Sequence, residues 1–193
     1  FEQNALLATA LETIGFQVKR LAARVLIGTD PRPRTHMMLI VTAEGEPWLA
    51  DVGFGGAGLL HPIRFCVDEV ADCFGWKYRI VAAAAHYLLQ TQQQGEWQDL
   101  YTFTLEDQLP VDYEMANYYT STHPQSHFTR VLTAQLPRPE RRLRLTNRRL
   151  TVETPTGITE EREIGTEEEL LEILSEKFGL NFPKGTTFPV PES

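Results

Sequence analysis

The sequence predicts an α+β fold in which a helix precedes a group of antiparallel strands, and further strands and a second helix follow. Two observations support this prediction. Apolar residues recur at helical spacing near both ends of the chain, and the region between them holds short apolar runs separated by turn residues. Strands at this spacing are typical of a barrel or a sandwich rather than of a parallel α/β sheet.

One helix is predicted near each end of the chain. The first covers residues 1–16, ends at Gly15, and places four apolar side chains on one face: Leu6, Leu7, Leu11 and Ile14. The second covers residues 166–178. Thr166 and Glu169 form a capping box ahead of its apolar face, and Gly179 ends it.

The predicted strands follow the change of period after the first helix. A β-branched run from residue 17 to residue 27 leads into a loop at 28–33, and strands are then expected at residues 37–42, 48–52, 78–85, 86–91 and 97–105. A short helix at residues 112–119 connects them to strands at 128–136, 142–145 and 150–154. The tail from Pro183 is expected to be irregular.

The composition argues against several classes of protein. A net charge of −8 does not suit broad nucleic-acid binding, which needs many cations to neutralise phosphates. No stretch approaches the roughly 18 apolar residues of a membrane span. Two cysteines are too few for a disulfide framework and indicate no zinc site, so a cytoplasmic protein is expected. The arginine-rich residues 138–149 are interpreted as the solvated face of adjacent strands.

Two predicted strands each carry one ionisable residue at an edge. His36 precedes the first, Asp51 lies in the second, and the tight turn at Glu44-Gly45 joins them. A hairpin about this turn brings His36 and Asp51 to the same end, where Asp51 would accept a hydrogen bond and fix the imidazole tautomer. The other imidazole nitrogen would then face a nucleophile. Taken alone, the spacing also fits two unrelated hydrogen-bonded residues.

The glycines after Asp51 allow two interpretations. Gly53, Gly55 and Gly56 either form a bend that needs positive φ, or let the backbone come close to a ligand. They form no phosphate-binding fingerprint, which would require a following helix.

Several segments, in order, resemble the arylamine N-acetyltransferase family. They are Phe1-Glu2-Gln3-Asn4, Leu6-Leu7, residues 14–18 and 23–25, Thr35-His36, residues 49–55 and residues 117–128, and the run Asp-Val-Gly-Phe-Gly at 51–55 is the most specific. The resemblance implies a cysteine-protease-like fold with a helical bundle, an antiparallel β-barrel and an α/β lid. The domains would be residues 1–16 (end of the helical domain), 17–110 (barrel), 111–125 (interdomain helix and turn) and 126–193 (lid).

The resemblance also implies an activity. It is the acetyl-CoA-dependent N-acetylation of aromatic amines and hydrazines, which is a reaction of xenobiotic metabolism. The implied mechanism is ping-pong, passes through a cysteine thioester and uses no metal. In the implied Cys-His-Asp triad, His36 is the acid and base and Asp51 orients it. Phe54 and Gly55 would line the acyl and arylamine pocket, and Tyr119, Gln125 and Ser126 match the stretch that contacts coenzyme A. The partners are small molecules, with no nucleic acid or membrane.

The family places its nucleophilic cysteine immediately before Phe-Glu, at a helix N-terminus that stabilises a thiolate. We therefore expect this cysteine directly before Phe1 in the complete polypeptide, within a glycine-containing turn. Cys66 and Cys73 are interpreted as buried, unreactive thiols. Two alternatives stay open: a thiol hydrolase with the same triad, in which water resolves the acyl-enzyme, and a non-catalytic protein that binds coenzyme A or an aryl group.

Overall fold

The computed structural model describes residues 1–26 and 32–188. The predicted strand end at Ile27 and most of the loop at 28–33 lie outside this part. Within it, the helices are α1 (Glu2–Thr13), α2 (Pro110–Thr122) and α3 (Glu167–Phe178), and the strands form two antiparallel sheets. The predicted α+β order, a helix, a barrel-like sheet and then a second α/β unit, is confirmed.

The first sheet is barrel-like and runs in the order β4-β3-β2-β1-β8-β7-β6-β5. Its strands are β1 (Gln17–Val25), β2 (His36–Ala43), β3 (Glu46–Ala50), β4 (Ile63–Arg64), β5 (Val70–Cys73), β6 (Trp76–Ala83), β7 (His86–Gln93) and β8 (Glu96–Phe103). Side chains from both halves of the sheet, including Leu21, Leu49, Tyr78 and Leu89, meet in one core. The sheet therefore curls around its own interior.

Tight turns set the register of this sheet. β2 and β3 pair up to Ala43 opposite Glu46, and the two residues between them, Glu44 and Gly45, both have positive φ. Positive φ at both central residues is typical of a type I′ turn, whose twist matches the twist of the two paired strands. Because the period along a strand is two, this register decides which side chains of the hairpin face the core.

The second sheet runs in the order β12-β11-β10-β9 and packs against α3. Its strands are β9 (Thr133–Pro137), β10 (Arg142–Thr146), β11 (Arg149–Thr154) and β12 (Gly157–Glu163). Half of the predicted capping box of α3 is present: the Thr166 hydroxyl accepts from the Glu169 amide, but the Glu169 carboxylate accepts from the Gly165 amide and not from that of Thr166. Gly179 closes the helix in the left-handed conformation, as predicted. Leu170, Ile173 and Leu174 form the buried face.

The predicted apolar face of helix α1 is only half right, since Leu7 and Leu11 pack on the first sheet but Leu6 and Ile14 do not. Leu6 and Ile14 are 70% and 71% exposed, whereas Asn4 and Ala8 are fully buried against β2. The reason is size, because small side chains one turn apart let the helix backbone come close to the sheet. This close approach brings the polar side chain of Asn4 into the interior.

Other differences from the predicted elements are local. Residues 128–136 are predicted to form one strand, but a 3₁₀ helix at His127–Thr129 occupies the start of this segment, and β9 begins only at Thr133. The short strands β4 and β5 and the polar edge strand β12 were not predicted. Helix α2 is longer than predicted, since it starts at Pro110, a residue that suits a first helical position. No helix in the described residues is long and apolar enough to cross a membrane.

The interpretation of residues 138–149 as a solvated face is wrong for Arg142. Arg138, Arg141, Arg144 and Arg149 are exposed, but Arg142 is only 3% exposed and lies between the two sheets. Its guanidinium stacks 3.7 Å from the centre of the Trp76 ring and donates to the Gly58 carbonyl at 3.1 Å and to the Tyr78 hydroxyl. Burial raises the pKa of Tyr78 to about 12, against the opposing charge of Arg142, so the phenol stays neutral.

We expect Arg142→Ala to lower the free energy of unfolding by about 2–3 kcal/mol. The substitution removes a desolvated cation–π contact and the Arg142 hydrogen bond to the Tyr78 hydroxyl, and it leaves the buried Gly58 carbonyl with the Tyr78 hydroxyl as its donor. Urea denaturation measures the change, with exposed Arg141→Ala as the matched control, expected within about 0.5 kcal/mol of the wild type. Equal stability of the two variants would show that Arg142 does not tie the sheets together.

Candidate active site

A buried histidine–aspartate pair lies at the open end of the β2–β3 hairpin. Leu39 pairs with Ala50, so His36 at the start of β2 and Asp51 just beyond β3 lie at the same end. Their side chains are in contact, with 2.6 Å between His36 Nε2 and Asp51 Oδ2, and both residues are buried. The contact predicted from the hairpin is confirmed.

The Asp51 carboxylate is held on both oxygens. Oδ2 accepts from His36, and Oδ1 accepts from Asn4 Nδ2 at 2.9 Å and from the Gly53 amide at 3.0 Å. Burial alone would raise the pKa of Asp51, but the His36 charge and the hydrogen bonds from His36, Asn4 and Gly53 lower it below its usual value. Asp51 is therefore an anion that faces the imidazole.

This contact assigns the two nitrogens of His36. Nε2 donates to Asp51, and in the described residues Nδ1 makes no hydrogen bond. A neutral imidazole with its proton on Nε2 presents a lone pair at Nδ1. Nδ1 is thus the nitrogen that can take and return a proton, and the Asp51 anion stabilises the imidazolium that forms.

The amino-terminal turn of α1 lies against the same pair. Asn4 is the third residue of the helix and reaches both Asp51 and the Met37 carbonyl, the latter at 2.6 Å. Phe1, at the N-cap, packs in the same cluster as Met37 and Leu39 and makes an edge contact with Tyr113. The end of the helix that favours negative charge is therefore close to His36 and Asp51.

Two aromatic rings pack on His36. The ring centres of Phe54 and Tyr101 lie 5.3 Å and 5.2 Å from the imidazole, and they also contact each other. Burial and the negative charge of Asp51 raise the pKa of Tyr101 well above its ordinary value, so its hydroxyl is neutral. Phe54 is one of the predicted pocket residues. Tyr101 was missed, because nothing in the sequence of β8 distinguishes it from an ordinary core tyrosine.

The loop after Asp51 is fixed between the two sheets. The Gly56 amide donates to the side-chain oxygen of Gln135 on β9. Gly55 has φ +88°, a conformation that favours glycine, and a Cβ there would displace the end of the Gln135 side chain that binds the Gly56 amide. At Gly55 the positive-φ interpretation is therefore confirmed. Gly53 lacks positive φ and is instead close to Asn4.

The three residues predicted to contact coenzyme A lie together at the end of α2. Tyr119 stacks on His123 at 4.4 Å between ring centres, Gln125 is exposed, and Ser126 is buried with its hydroxyl donating to the Thr120 carbonyl at 2.5 Å. Within the part of the chain that the structure describes, no hydrogen bond or ring contact joins them to His36 or Asp51. They form a separate group around the carboxyl-terminal end of α2.

The two cysteines lie outside the His36–Asp51 site. Cys73 is buried, as predicted, but Cys66 is exposed, so the prediction of burial is wrong there. A hydrogen bond with Glu69 raises the pKa of the Cys66 thiol, and burial raises the pKa of the Cys73 thiol. Both effects disfavour the thiolate. The described residues also bring no three potential metal ligands together.

Comparison with known proteins gives a consistent result. The sequence model of a family described as N-acetyltransferase matches residues 1–187. The arylamine N-acetyltransferase of Escherichia coli K12 is 37% identical over 183 residues, which cover 93% of this chain and 65% of that protein. The chain thus spans somewhat less than two thirds of that relative's length.

Solved structures agree with this match. A variant of Mycobacterium smegmatis N-arylamine acetyltransferase in which glutamine replaces one cysteine is 35% identical, with a TM-score of 0.86 over 93% of this chain and 68% of that one. Mycobacterium marinum arylamine N-acetyltransferase in complex with CoA is 32% identical, with a TM-score of 0.85 over 92% and 68% of the two chains.

Proposed function

Since this chain belongs to the arylamine N-acetyltransferase family, we propose that the complete protein transfers acetyl from acetyl-CoA to aromatic amines and hydrazines through a cysteine thioester. The observation that carries the proposal is the buried contact between His36 Nε2 and Asp51 Oδ2, with the amino-terminal end of α1 close by and no hydrogen bond to Nδ1 from residues 1–26 or 32–188.

The nucleophile in this proposal is a cysteine directly before Phe1. A residue there lies one Cα spacing, about 3.8 Å, from Phe1 and therefore at the positive end of α1. The helix end and the imidazolium of His36 both favour a thiolate at that position. In the solved variant of the M. smegmatis relative, the residue that was replaced by glutamine is also a cysteine.

In the first half-reaction the thiolate attacks the carbonyl carbon of acetyl-CoA. The bond from that carbon to the CoA sulfur breaks, and the CoA sulfur takes a proton from His36 Nδ1 as it leaves. Asp51 holds the Nε2 proton throughout and supports the charged form of the ring.

In the second half-reaction the amine nitrogen attacks the acetyl-enzyme. His36 Nδ1 accepts a proton from that nitrogen, the bond from the acetyl carbon to the cysteine sulfur breaks, and the thiolate–imidazolium pair is restored. Phe54 lies beside His36. Phe54 and the backbone at Gly55 would contact the aryl group, while Tyr119, Gln125 and Ser126 would contact coenzyme A. The CoA complex of the M. marinum relative supports acetyl-CoA as the donor.

Rapid mixing of the complete protein with acetyl-CoA tests the proposal. Without amine, we expect a burst of free CoA equal to the number of active sites and a stable acetyl-enzyme. Addition of an arylamine should then release the acetylated amine. Continuous release of acetate would instead assign a thiol hydrolase, and CoA binding without a burst would assign a non-catalytic binding protein.

A further inference from the structure

We infer that Asn4 is a positioning residue for the acetyl transfer, acting through Asp51. The inference rests on the proposed function. Asn4 is fully buried, although it lies on a helix whose neighbouring side chains Glu2 and Gln3 are exposed. A polar amide at such a position needs hydrogen-bond partners, and all of those found here belong to the segments that carry His36 and Asp51.

The amide of Asn4 is engaged on both sides. Nδ2 donates to the Met37 carbonyl at 2.6 Å and to Asp51 Oδ1 at 2.9 Å, and the amide oxygen accepts from the Val52 amide at 2.9 Å. One side chain thus connects the residue after His36, the carboxylate itself and the residue after Asp51. It fixes α1 to both strands of the hairpin at their functional end.

The packing around Asn4 leaves little room for movement. A Cβ at Gly53 would come within 2.9 Å of Asn4 Nδ2, so the close approach depends on glycine at that position. Without Asn4, the Gly53 amide would be the one donor left to Oδ1 of Asp51 among the described residues. The carboxylate could then rotate, and the His36 ring would lose its fixed direction.

Asn4 also sets the geometry of the helix end. It lies three residues after Phe1, about one turn along α1, so its contacts fix the distance between that end and the His36–Asp51 pair. The reaction needs a thiolate and an imidazole at contact distance, and a displacement of about 1 Å costs up to about 100-fold in rate.

The test measures the rate constant of acetyl-enzyme formation and the affinity for acetyl-CoA in variants of the complete protein. For Asn4→Ala and Asn4→Ser we expect a rate about 10-fold to 100-fold lower, with the acetyl-CoA dissociation constant within about threefold of the wild type. Gln3→Ala, on the same turn but exposed, is the matched control and should keep the wild-type rate.

Two further measurements separate positioning from a purely structural role. In an Asp51→Asn background, Asn4→Ala should cause little further loss, because both residues act as one unit. In Asn4→Asp, the new carboxyl donates to Asp51 only when protonated, and the neighbouring charge and burial raise its pKa. Its rate relative to the wild type should therefore recover as the pH is lowered from about 8 to about 6, while that of Asn4→Ala stays constant.

Wild-type rates in the folded Asn4 variants, or equal losses from Asn4→Ala with and without Asp51, would overturn the inference. So would the failure of every Asn4 variant to fold, which would assign Asn4 to structure alone. The proposed function is judged separately, by whether the wild-type protein forms an acetyl-enzyme at all.

Discussion

Replacing His36 with glutamine should lower the rate of acetyl-enzyme formation on the order of 10³-fold. Glutamine is polar and of similar length, but it cannot accept and return a proton, and general acid–base catalysis contributes about 10²–10⁴-fold. The variant also loses the imidazolium that stabilises the thiolate. Single-turnover mixing with acetyl-CoA measures the rate, and thiol alkylation across a pH series measures the loss of thiolate.

His86→Gln is the matched control for this experiment. His86 is an exposed histidine at the start of β7, and it makes no contact with Asp51 in the part of the chain described. Its variant should form acetyl-enzyme at the wild-type rate. A His36→Gln enzyme with a normal burst would show that another group transfers the proton.

The second large effect is expected for Asp51→Asn. This variant should bind CoA nearly as the wild type does, yet form acetyl-enzyme on the order of 10²-fold more slowly or worse. The amide can donate to His36 Nε2, which places the imidazole proton on Nδ1 and removes the base. In the serine proteases the equivalent change costs about 10⁴-fold. Exposed Asp107→Asn, whose carboxylate contacts only Lys19 among the described residues, is the control.

Asp51 also has a structural role, because its carboxylate accepts from Asn4 and from the Gly53 amide. Melting temperature, CoA affinity and the acetyl-enzyme burst should therefore be measured on the same Asp51→Asn preparation. A folded variant that binds CoA and gives a normal burst would show that Asp51 takes no part in acetyl transfer. A folded variant that binds CoA without a burst is the result we expect.

The lowered pKa of Asp51 gives this structural role a pH dependence. The folded-state pKa lies below that of an unfolded aspartate, about 3.9, so the ionised carboxylate stabilises the fold above that pH. The stabilisation is lost as the pH falls through the folded-state pKa. The difference in melting temperature between the wild type and Asp51→Asn should accordingly shrink in acid, and a constant difference would contradict the assignment.

The hairpin that carries His36 and Asp51 could be predicted from sequence because its signals are local. Two apolar runs and a Glu44-Gly45 turn fix the register within sixteen residues, and the register fixes which ends meet. Helix α3 was equally predictable, since its capping residues Thr166 and Gly179 act through local contacts. The polar strand β12 could not be found in this way, because an exposed edge strand needs no apolar alternation.

The residues that surround the pair depend on long-range contacts that local patterns do not record. Asn4 lies 47 residues from Asp51 in sequence, and its burial follows from the docking of a helix through small side chains. Arg142 looks like its exposed neighbours in an arginine-rich run, yet a tryptophan from the other sheet buries it. Family resemblance implied the roles proposed for His36 and Asp51, but the hydrogen-bond donors that orient Asp51 required the structure.

The central claim is that acetyl passes through a cysteine at the amino-terminal end of α1, beside His36. The direct measurement is peptide mapping by mass spectrometry of the complete protein after reaction with acetyl-CoA and before addition of amine. We expect a single acetyl group as a thioester on the cysteine directly before Phe1, and its loss when an arylamine is added. Acetyl on Cys66, on Cys73 or on a lysine, or product formed with no acetyl-enzyme at any time, would contradict the claim.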